Sequence, residues 1–132
     1  MGGEYGDENN PVYDNSVHEL MLKSKHIQKL PSLCEGKSCF AFFYKYPTRW
    51  LYTVGGESAI DTITKSCEKF DVYNKKWTRL PDVLTVRCNP GLLEFDDKYL
   101  YSFGGLHGKF PKYYAVADVD KLDLKMNVWE PI

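Results

Sequence analysis

Apolar and aromatic residues gather in short runs separated by turn-forming residues, and the longest such pattern is written twice. One run covers 40–46, breaks at Pro47-Thr48, and resumes as Arg49-Trp50-Leu51-Tyr52-Thr53-Val54 before Gly55-Gly56. The same order returns as 91–95, Asp96-Asp97, then Lys98-Tyr99-Leu100-Tyr101-Ser102-Phe103 and Gly104-Gly105, with the Gly pairs 49 residues apart. Aromatic and branched residues flanking a short polar turn predict a β-hairpin. After each Gly pair, 57–65 and 106–115 are polar or irregular and read as surface loops. Two further strands follow each loop: 67–73 and 77–80 around Asn74-Lys75, then 118–124 and 128–132 around 125–127. Each copy is therefore four strands in a meander, with no helix between them.

A weaker copy precedes these two. Gly2-Gly3 stands 53 residues before Gly55-Gly56, and 1–14, with Gly6, Asn9, Asn10 and Pro11, reads as a loop. In 16–30, Val17, Leu20, Met21, Ser24 and Ile27 can be placed at helical spacing. The repeat decides for two strands, 17–22 and 26–30, because Leu30-Pro31 matches Leu80-Pro81 and sets Leu20 opposite Phe70 and Ile27 opposite Trp77. Aligning 38–56 on 87–105 without a gap places Ser38 opposite Arg87 and Cys39 opposite Cys88. A period near 50 residues marks a stacked repeat, and a four-stranded antiparallel sheet repeated in series is a propeller blade. The expected organisation is all-β: a partial first repeat over 1–37, a full blade over 38–86 and another over 87–132.

The ordered set of landmarks resembles the kelch-repeat β-propeller family. It comprises an apolar run into a Gly pair, an aromatic or apolar residue followed by Asp, a Trp seven residues further on, and a Pro soon after. It appears as Tyr52 to Gly55-Gly56, Phe70-Asp71, Trp77 and Leu80-Pro81, and again as Tyr101 to Gly104-Gly105, Leu122-Asp123, Trp129 and Pro131. The first copy has Leu20, Met21 and Ile27 where the aromatic, Asp and Trp belong. The resemblance implies an incomplete kelch-type propeller of four-stranded antiparallel blades, with Arg87 at the start of an innermost strand. The residue types have physical reasons. Paired glycines permit backbone conformations closed to other residues, and each Trp buries a large ring between blades while its indole N–H finds a carbonyl. Phe70 and Leu122 fill the same layer, and Pro after Leu80 ends a ladder.

Charge and composition narrow the function. The 132 residues hold 17 basic against 18 acidic groups, for a net charge of −1, which argues against an electrostatically driven nucleic-acid or membrane surface. No stretch approaches the roughly 20 apolar residues of a membrane-spanning helix, and the acidic, Gly-rich start differs from a secretory leader. A cytoplasmic protein without membrane insertion is expected. Cys34, Cys39, Cys67 and Cys88 show no Cys-x-x-Cys spacing and read as small buried thiols at repeated positions. His18, His26 and His107 are scattered, so no metal site or cofactor is expected. Phosphate-loop, dinucleotide and nucleophile-elbow motifs are absent; Gly104-Gly105-Leu106-His107-Gly108-Lys109 lacks the Gly-Lys-Ser/Thr ending. Some propellers of this family are copper oxidases similar to galactose oxidase, which need paired Tyr and His ligands and a Tyr-Cys crosslink. No His pair accompanies the Tyr and Cys residues here.

What remains is a binding surface. In a propeller the loops after the Gly pairs and the crossings between blades gather on one face, here 4–13, 57–64 and 106–114 with crossings 32–37 and 82–86. Leu106, His107, Phe110, Tyr113, Tyr114 and Arg87 are the candidate partner contacts, exposed aromatics being favoured interface anchors. Two blades and a half cannot close a ring that usually needs about 4 to 8. The expected role is a non-catalytic protein-interaction scaffold, one piece of a larger propeller or assembly completed by other protein chains. By family analogy that assembly is a cytoskeletal or ciliary complex or a ubiquitin-ligase substrate receptor. A propeller enzyme and a purely structural subunit are the competing readings.

Overall fold

The computed structural model describes residues 1–7, 10–60, 62–109 and 111–132, all strands and turns with no helix among them. The first partial repeat supplies β1 (Gly3–Asp7), β2 (Asn10–Asp14), β3 (Val17–Met21) and β4 (His26–Leu30). The second supplies β5 (Ala41–Tyr44), β6 (Trp50–Val54), β7 (Glu57–Ala59), β8 (Thr62–Ile63), β9 (Cys67–Asp71) and β10 (Lys76–Leu80). The third supplies β11 (Gly91–Phe95), β12 (Tyr99–Phe103), β13 (Leu106–Lys109), β14 (Lys112–Ala115), β15 (Val119–Asp123) and β16 (Val128–Pro131).

Two four-stranded antiparallel sheets result, ordered β5-β6-β9-β10 and β11-β12-β15-β16, and β3 pairs with β4 as the outer half of a third. The fold is an incomplete β-propeller: blade 1 is β3–β4, and blades 2 and 3 are complete. The strand assignment of 17–30 holds over the helical alternative, and the registers make the repeat explicit. Leu20 pairs with Ile27, Phe70 with Trp77 and Leu122 with Trp129. One expectation changes. The segments after the Gly pairs, and 1–14, are two-stranded hairpins (β1–β2, β7–β8, β13–β14) instead of irregular loops. Their few apolar residues hid the alternation, because short strands exposed on both faces carry no strong period-2 signal.

The blade-to-blade layers carry the core. Between blades 2 and 3, Tyr52, Val54, Cys67, Leu80, Val83, Leu100, Leu122 and Trp129 form one buried cluster. Between blades 1 and 2, Val17, Leu33, Phe70 and Trp77 form another. Each Trp is tied across its layer: Trp77 Nε1 donates to the Pro31 carbonyl at 2.9 Å and Trp129 Nε1 to the Pro81 carbonyl at 2.8 Å. A Trp on the outer strand of one blade thus satisfies the carbonyl of the proline that ends the previous blade, so the polar tip of a buried ring is paired. Leu20 and Ile27, at the positions of Phe70 and Trp77, are exposed, with no neighbouring blade against them among the described residues.

At the inner end of each sheet the Gly pair takes left-handed backbone angles, φ +69° and +107° at Gly55-Gly56 and +62° and +93° at Gly104-Gly105. A Cβ on Gly55 would strike the Arg87 carbonyl, and one on Gly105 would lie 2.7 Å from the Cys88 carbonyl. Gly2-Gly3 repeats the arrangement: the Gly2 N–H donates to Ser16 O at 2.8 Å as Gly55 does to Ser66 O at 2.9 Å.

At the opposite end, Asp71 and Asp123 cap the outer turns. Asp71 Oδ1 accepts from the Tyr73 and Asn74 N–H groups, each at 3.0 Å, and Asp123 Oδ1 from Lys125 and Met126 at 2.9 and 2.8 Å. The Arg49 guanidinium also binds Asp71, and this contact, with the Asn74 and Tyr73 hydrogen bonds, holds its carboxyl well below the usual carboxylate range. The unfolded chain therefore takes up a proton at this site near pH 4 while the folded chain does not. The stabilisation is present above about pH 4 and is lost as pH falls below that value. Urea midpoints compared at about pH 6 and about pH 3 are expected to differ less in Asp71→Asn than in the unaltered protein; an equal difference would show that Asp71 contributes nothing to acid sensitivity.

The structure also corrects the pairing of two cysteines. The β5–β6 connection is one residue longer than the β11–β12 connection, since Tyr44 pairs with Leu51 whereas Glu94 pairs with Leu100. The crossings therefore align 50 residues apart, with Cys39 opposite Asn89, both left-handed at φ +52° and +50°, and Ser38 opposite Cys88. Cys34 and Cys39 are exposed, while Cys67 and Cys88 are buried. Burial pushes the Cys67 thiol up to about 12 and raises that of Cys88. A thiol reagent at neutral pH is expected to modify Cys39 fastest and Cys34 more slowly, with Cys67 and Cys88 reacting only after unfolding. Mass spectrometry that found Cys67 labelled at the rate of Cys39 would contradict this packing.

Candidate partner-binding face

Gly55-Gly56 and Gly104-Gly105 lead the chain directly from a second strand into a hairpin, and Gly2-Gly3 stands at the start of the first hairpin, so the three hairpins rise from equivalent places. They stand in a row, with β2 beside β7 and β8 beside β13. The crossings between blades stitch their bases: Ser38 and Glu57 exchange N–H···O bonds of 2.9 and 2.8 Å, and Cys88 and Leu106 exchange two of 2.8 Å. The Tyr113 hydroxyl lies 3.4 Å from Glu57 Oε1, linking the third hairpin to the second.

Beneath this row sit two buried ion pairs. Arg87 is fully buried: Nη2 donates to Asp120 Oδ2 at 2.8 Å, Nη1 to the carbonyls of Ser102, Gly104 and Asp118 at 3.3, 3.2 and 3.0 Å, and Nε to Thr85 O at 3.2 Å. Asp120 also accepts from the Thr85 N–H at 3.0 Å. One blade earlier, Lys37 Nζ lies 3.2 Å from Glu68 Oε1 and donates to Ser66 Oγ at 2.8 Å, while Glu68 Oε2 accepts from the Cys34 N–H at 2.7 Å. A cation from the crossing and a carboxylate from the third strand thus lock each crossing to the blade it enters. The expectation of Arg87 as a partner contact is corrected: with every donor directed inward it holds the blade together. Its counterpart is Lys37, and not Ser38, because of the one-residue shift described above. Both carboxylates stand in a recurring pattern, Cys67-Glu68-Lys69-Phe70-Asp71 and Val119-Asp120-Lys121-Leu122-Asp123, which is the signal that could have found them.

The remaining candidates fall into two groups. Leu106, His107, Tyr113 and Tyr114 lie on the third hairpin with their side chains exposed, and the register places His107 opposite Tyr114. Phe110 lies outside the described residues. The structure adds Tyr5 and Val12 on the first hairpin and Ile60 beside the second, exposed apolar side chains that sequence reasoning left aside. Grooves run between the hairpins. One of about 820 Å³ lies between the first and second, lined by Val12, Tyr13, Glu35 and Ile60. Another of about 640 Å³ lies between the third hairpin and the second crossing, lined by Thr85, Val86, His107 and Tyr114. Burial first, and then the nearby Glu4 and Glu57 carboxylates, raise the Tyr13 hydroxyl, so it stays protonated and can donate into the first groove. Among the described residues no group of three or more His, Cys, Asp or Glu side chains is placed to hold a metal ion. Phe70, Asp71, Trp77, Asp123 and Trp129 lie in the interblade layers and outer turns described above, away from this face, whereas Gly55, Gly56, Gly104 and Gly105 lie at the bases of the hairpins.

The blades and their tie residues define the protein class. The kelch motif matches residues 51–84, from β6 through the crossing into blade 3. The Kelch repeat and BTB domain-containing protein 2 of cowpox virus (strain Brighton Red) is 24% identical over 138 aligned positions, which cover 94% of this chain and 24% of the viral protein. Kelch-like protein 7 of Rattus norvegicus, and likewise of Mus musculus, is 29% identical over 77 positions, covering 58% of this chain and 12% of those proteins. Residues 51–84 thus carry a kelch motif, and over most of its length the chain is similar to kelch-repeat proteins. It spans about a quarter of the length of the viral relatives it matches.

Proposed function

We propose that the chain is a non-catalytic protein-binding scaffold that meets its partner through the row of three hairpins, as one part of a larger propeller or multiprotein assembly in the cytoplasm. The carrying observation is the geometry of that row. Exposed aromatic and apolar side chains sit on hairpins whose bases are fixed by backbone pairing to the crossings, and the crossings are anchored by buried ion pairs. Side chains held on rigid elements lose little entropy when they dock, and Tyr is among the favoured anchors. That relatives carry a BTB domain beside their kelch repeats, as their names state, supports a module within a larger assembly. It favours a ubiquitin-ligase substrate receptor over a cytoskeletal or ciliary complex.

The test is affinity capture from cells with the unaltered chain, with Leu106→Asp/Tyr114→Asp, and with Tyr73→Asp on a turn at the far end of blade 2. A captured partner should bind the double variant about tenfold or more weakly and the Tyr73 variant normally, as expected for loss of interface anchors. Equal capture by all three forms would remove the hairpin row as the binding face.

A further inference from the structure

Blades 2 and 3 share a lysine held over an aromatic ring, and one difference between them leaves the blade 2 lysine without an anion. In blade 3, Lys121 of β15 is in register with Tyr101 of β12 and Glu130 of β16. Its ammonium sits 5.0 Å from the centre of the Tyr99 ring and is ion-paired with the Glu130 carboxylate. In blade 2 the equivalent Lys69 is in register with Tyr52 and Thr78, and its ammonium lies 4.6 Å from the centre of the Trp50 ring. Thr78 stands where Glu130 stands, so Lys69 keeps the ring and lacks the carboxylate. Among the described residues no acidic group pairs with it.

Lys69 and Trp50 line a groove of about 420 Å³ between blades 2 and 3, at the end of the sheets opposite the hairpin row. Trp50 is half-buried and packs against the core of that interface. Arg49, Lys125 and Asp97 also line the groove, the last two from turns of blade 3. Arg49 is answered by Asp71, whose Oδ2 accepts from Nε at 3.0 Å. Lys69 and Lys125 then stand against the single carboxylate of Asp97, an excess of one positive charge around a partly exposed indole. Tyr52 lines the same groove, and its hydroxyl, raised by burial and then by Glu94 and Asp97, stays protonated and able to donate.

We propose that this groove is a second docking site, taking an acidic segment of a partner protein whose Glu or Asp carboxylate pairs with Lys69 while a neighbouring apolar side chain covers Trp50. The excess of one positive charge matches one carboxylate, whereas a nucleic-acid strand brings a charge at every nucleotide. Blade 3 shows the pairing itself, a carboxylate on a lysine already held over a ring. The hairpin row has the opposite character: its first groove is lined by Glu35, with Glu4 and Glu57 near Tyr13, so an acidic segment is repelled there and directed to this end. The site goes beyond the hairpin-row reading and does not depend on it.

The probe is the capped peptide acetyl-Ser-Glu-Phe-Glu-Ser-amide, titrated into the chain and followed by the indole N–H signals of the three tryptophans in heteronuclear NMR. The Trp50 signal should shift saturably while those of Trp77 and Trp129, buried in the interblade layers, stay in place. A peptide with Gln in place of Glu should bind about tenfold or more weakly, as expected for a lost charge pair. Thr78→Glu, at an exposed position, gives Lys69 the carboxylate that Lys121 has, and should weaken peptide binding by a similar factor without moving the Trp77 and Trp129 signals. The proposal is overturned by no saturable shift of Trp50, by equal binding of the Gln peptide, by unchanged binding in Thr78→Glu, or by tighter binding of decathymidylate at Trp50, which would make the occupant a nucleic acid. Leu106→Asp/Tyr114→Asp should bind the peptide normally. Loss of peptide binding in that variant would move the peptide to the hairpin row and overturn this site, whereas failure of hairpin-row capture with the Trp50 shift intact would remove the hairpin reading and leave this site standing.

Discussion

Replacing Trp77 by Ala is expected to destabilise the chain by roughly 3 to 5 kcal/mol, the range for removing a buried aromatic ring from a layer that cannot collapse. The ring packs against Phe70 with centroids 4.9 Å apart, and its indole supplies the hydrogen bond to Pro31 O that joins blade 2 to the crossing from blade 1. The loss has two parts: a cavity between blades, and the part-buried hydrogen bond to the Pro31 carbonyl. Trp77→Phe restores most of the volume but not the bond, so its cost should be intermediate and closer to that of a single hydrogen bond, about 1 kcal/mol. Urea denaturation measures both. A Trp77→Ala loss below about 1 kcal/mol, as for a surface change, would place Trp77 outside the layer.

Arg87→Met is expected to cost a comparable amount, about 3 to 5 kcal/mol, because it leaves the buried Asp120 carboxylate without its cation. It also removes the donors to three carbonyls at the inner end of blade 3, where the sheet turns into the Gly pair and the third hairpin. The diagnostic is the double variant. Arg87→Met with Asp120→Leu removes the charge as well as its partner, and should recover much of the stability lost by Arg87→Met alone. A double variant as unstable as the single one would show that the carbonyl contacts, and not the ion pair, are the main contribution. In either case hydrogen exchange in β13 and β14 should accelerate in Arg87→Met, because the crossing is the base to which that hairpin is stitched.

The blades themselves were legible in the residues. The repeated order of aromatic run, Gly pair, Asp, Trp and Pro specifies four strands and two turns, because each landmark has a local conformational reason: positive φ at the glycines, side-chain capping at Asp71 and Asp123, ladder termination at proline. The same spacing placed Phe70 and Trp77 in one interblade layer, and the turn at 72–75 then sets them opposite each other. Even the divergent 17–30 segment could be assigned, once its Leu30-Pro31 was set against Leu80-Pro81.

Tertiary structure alone decided three matters. The segments after the Gly pairs became hairpins because a preceding strand and a neighbouring crossing hold their first residues, as the Ser38–Glu57 and Cys88–Leu106 bridges show; nothing in their own composition required it. Arg87 turned inward, since the burial of a charged side chain depends on whether a carboxylate and carbonyls converge on it, and Asp120 lies 33 residues away in the chain. The one-residue difference between the β5–β6 and β11–β12 turns moved the crossing alignment, so that the position equivalent to Arg87 is Lys37 and not Ser38, and Cys39, at the surface, is not the equivalent of the buried Cys88. A sequence period counts residues, whereas equivalence between blades is set by which atoms occupy the same layer.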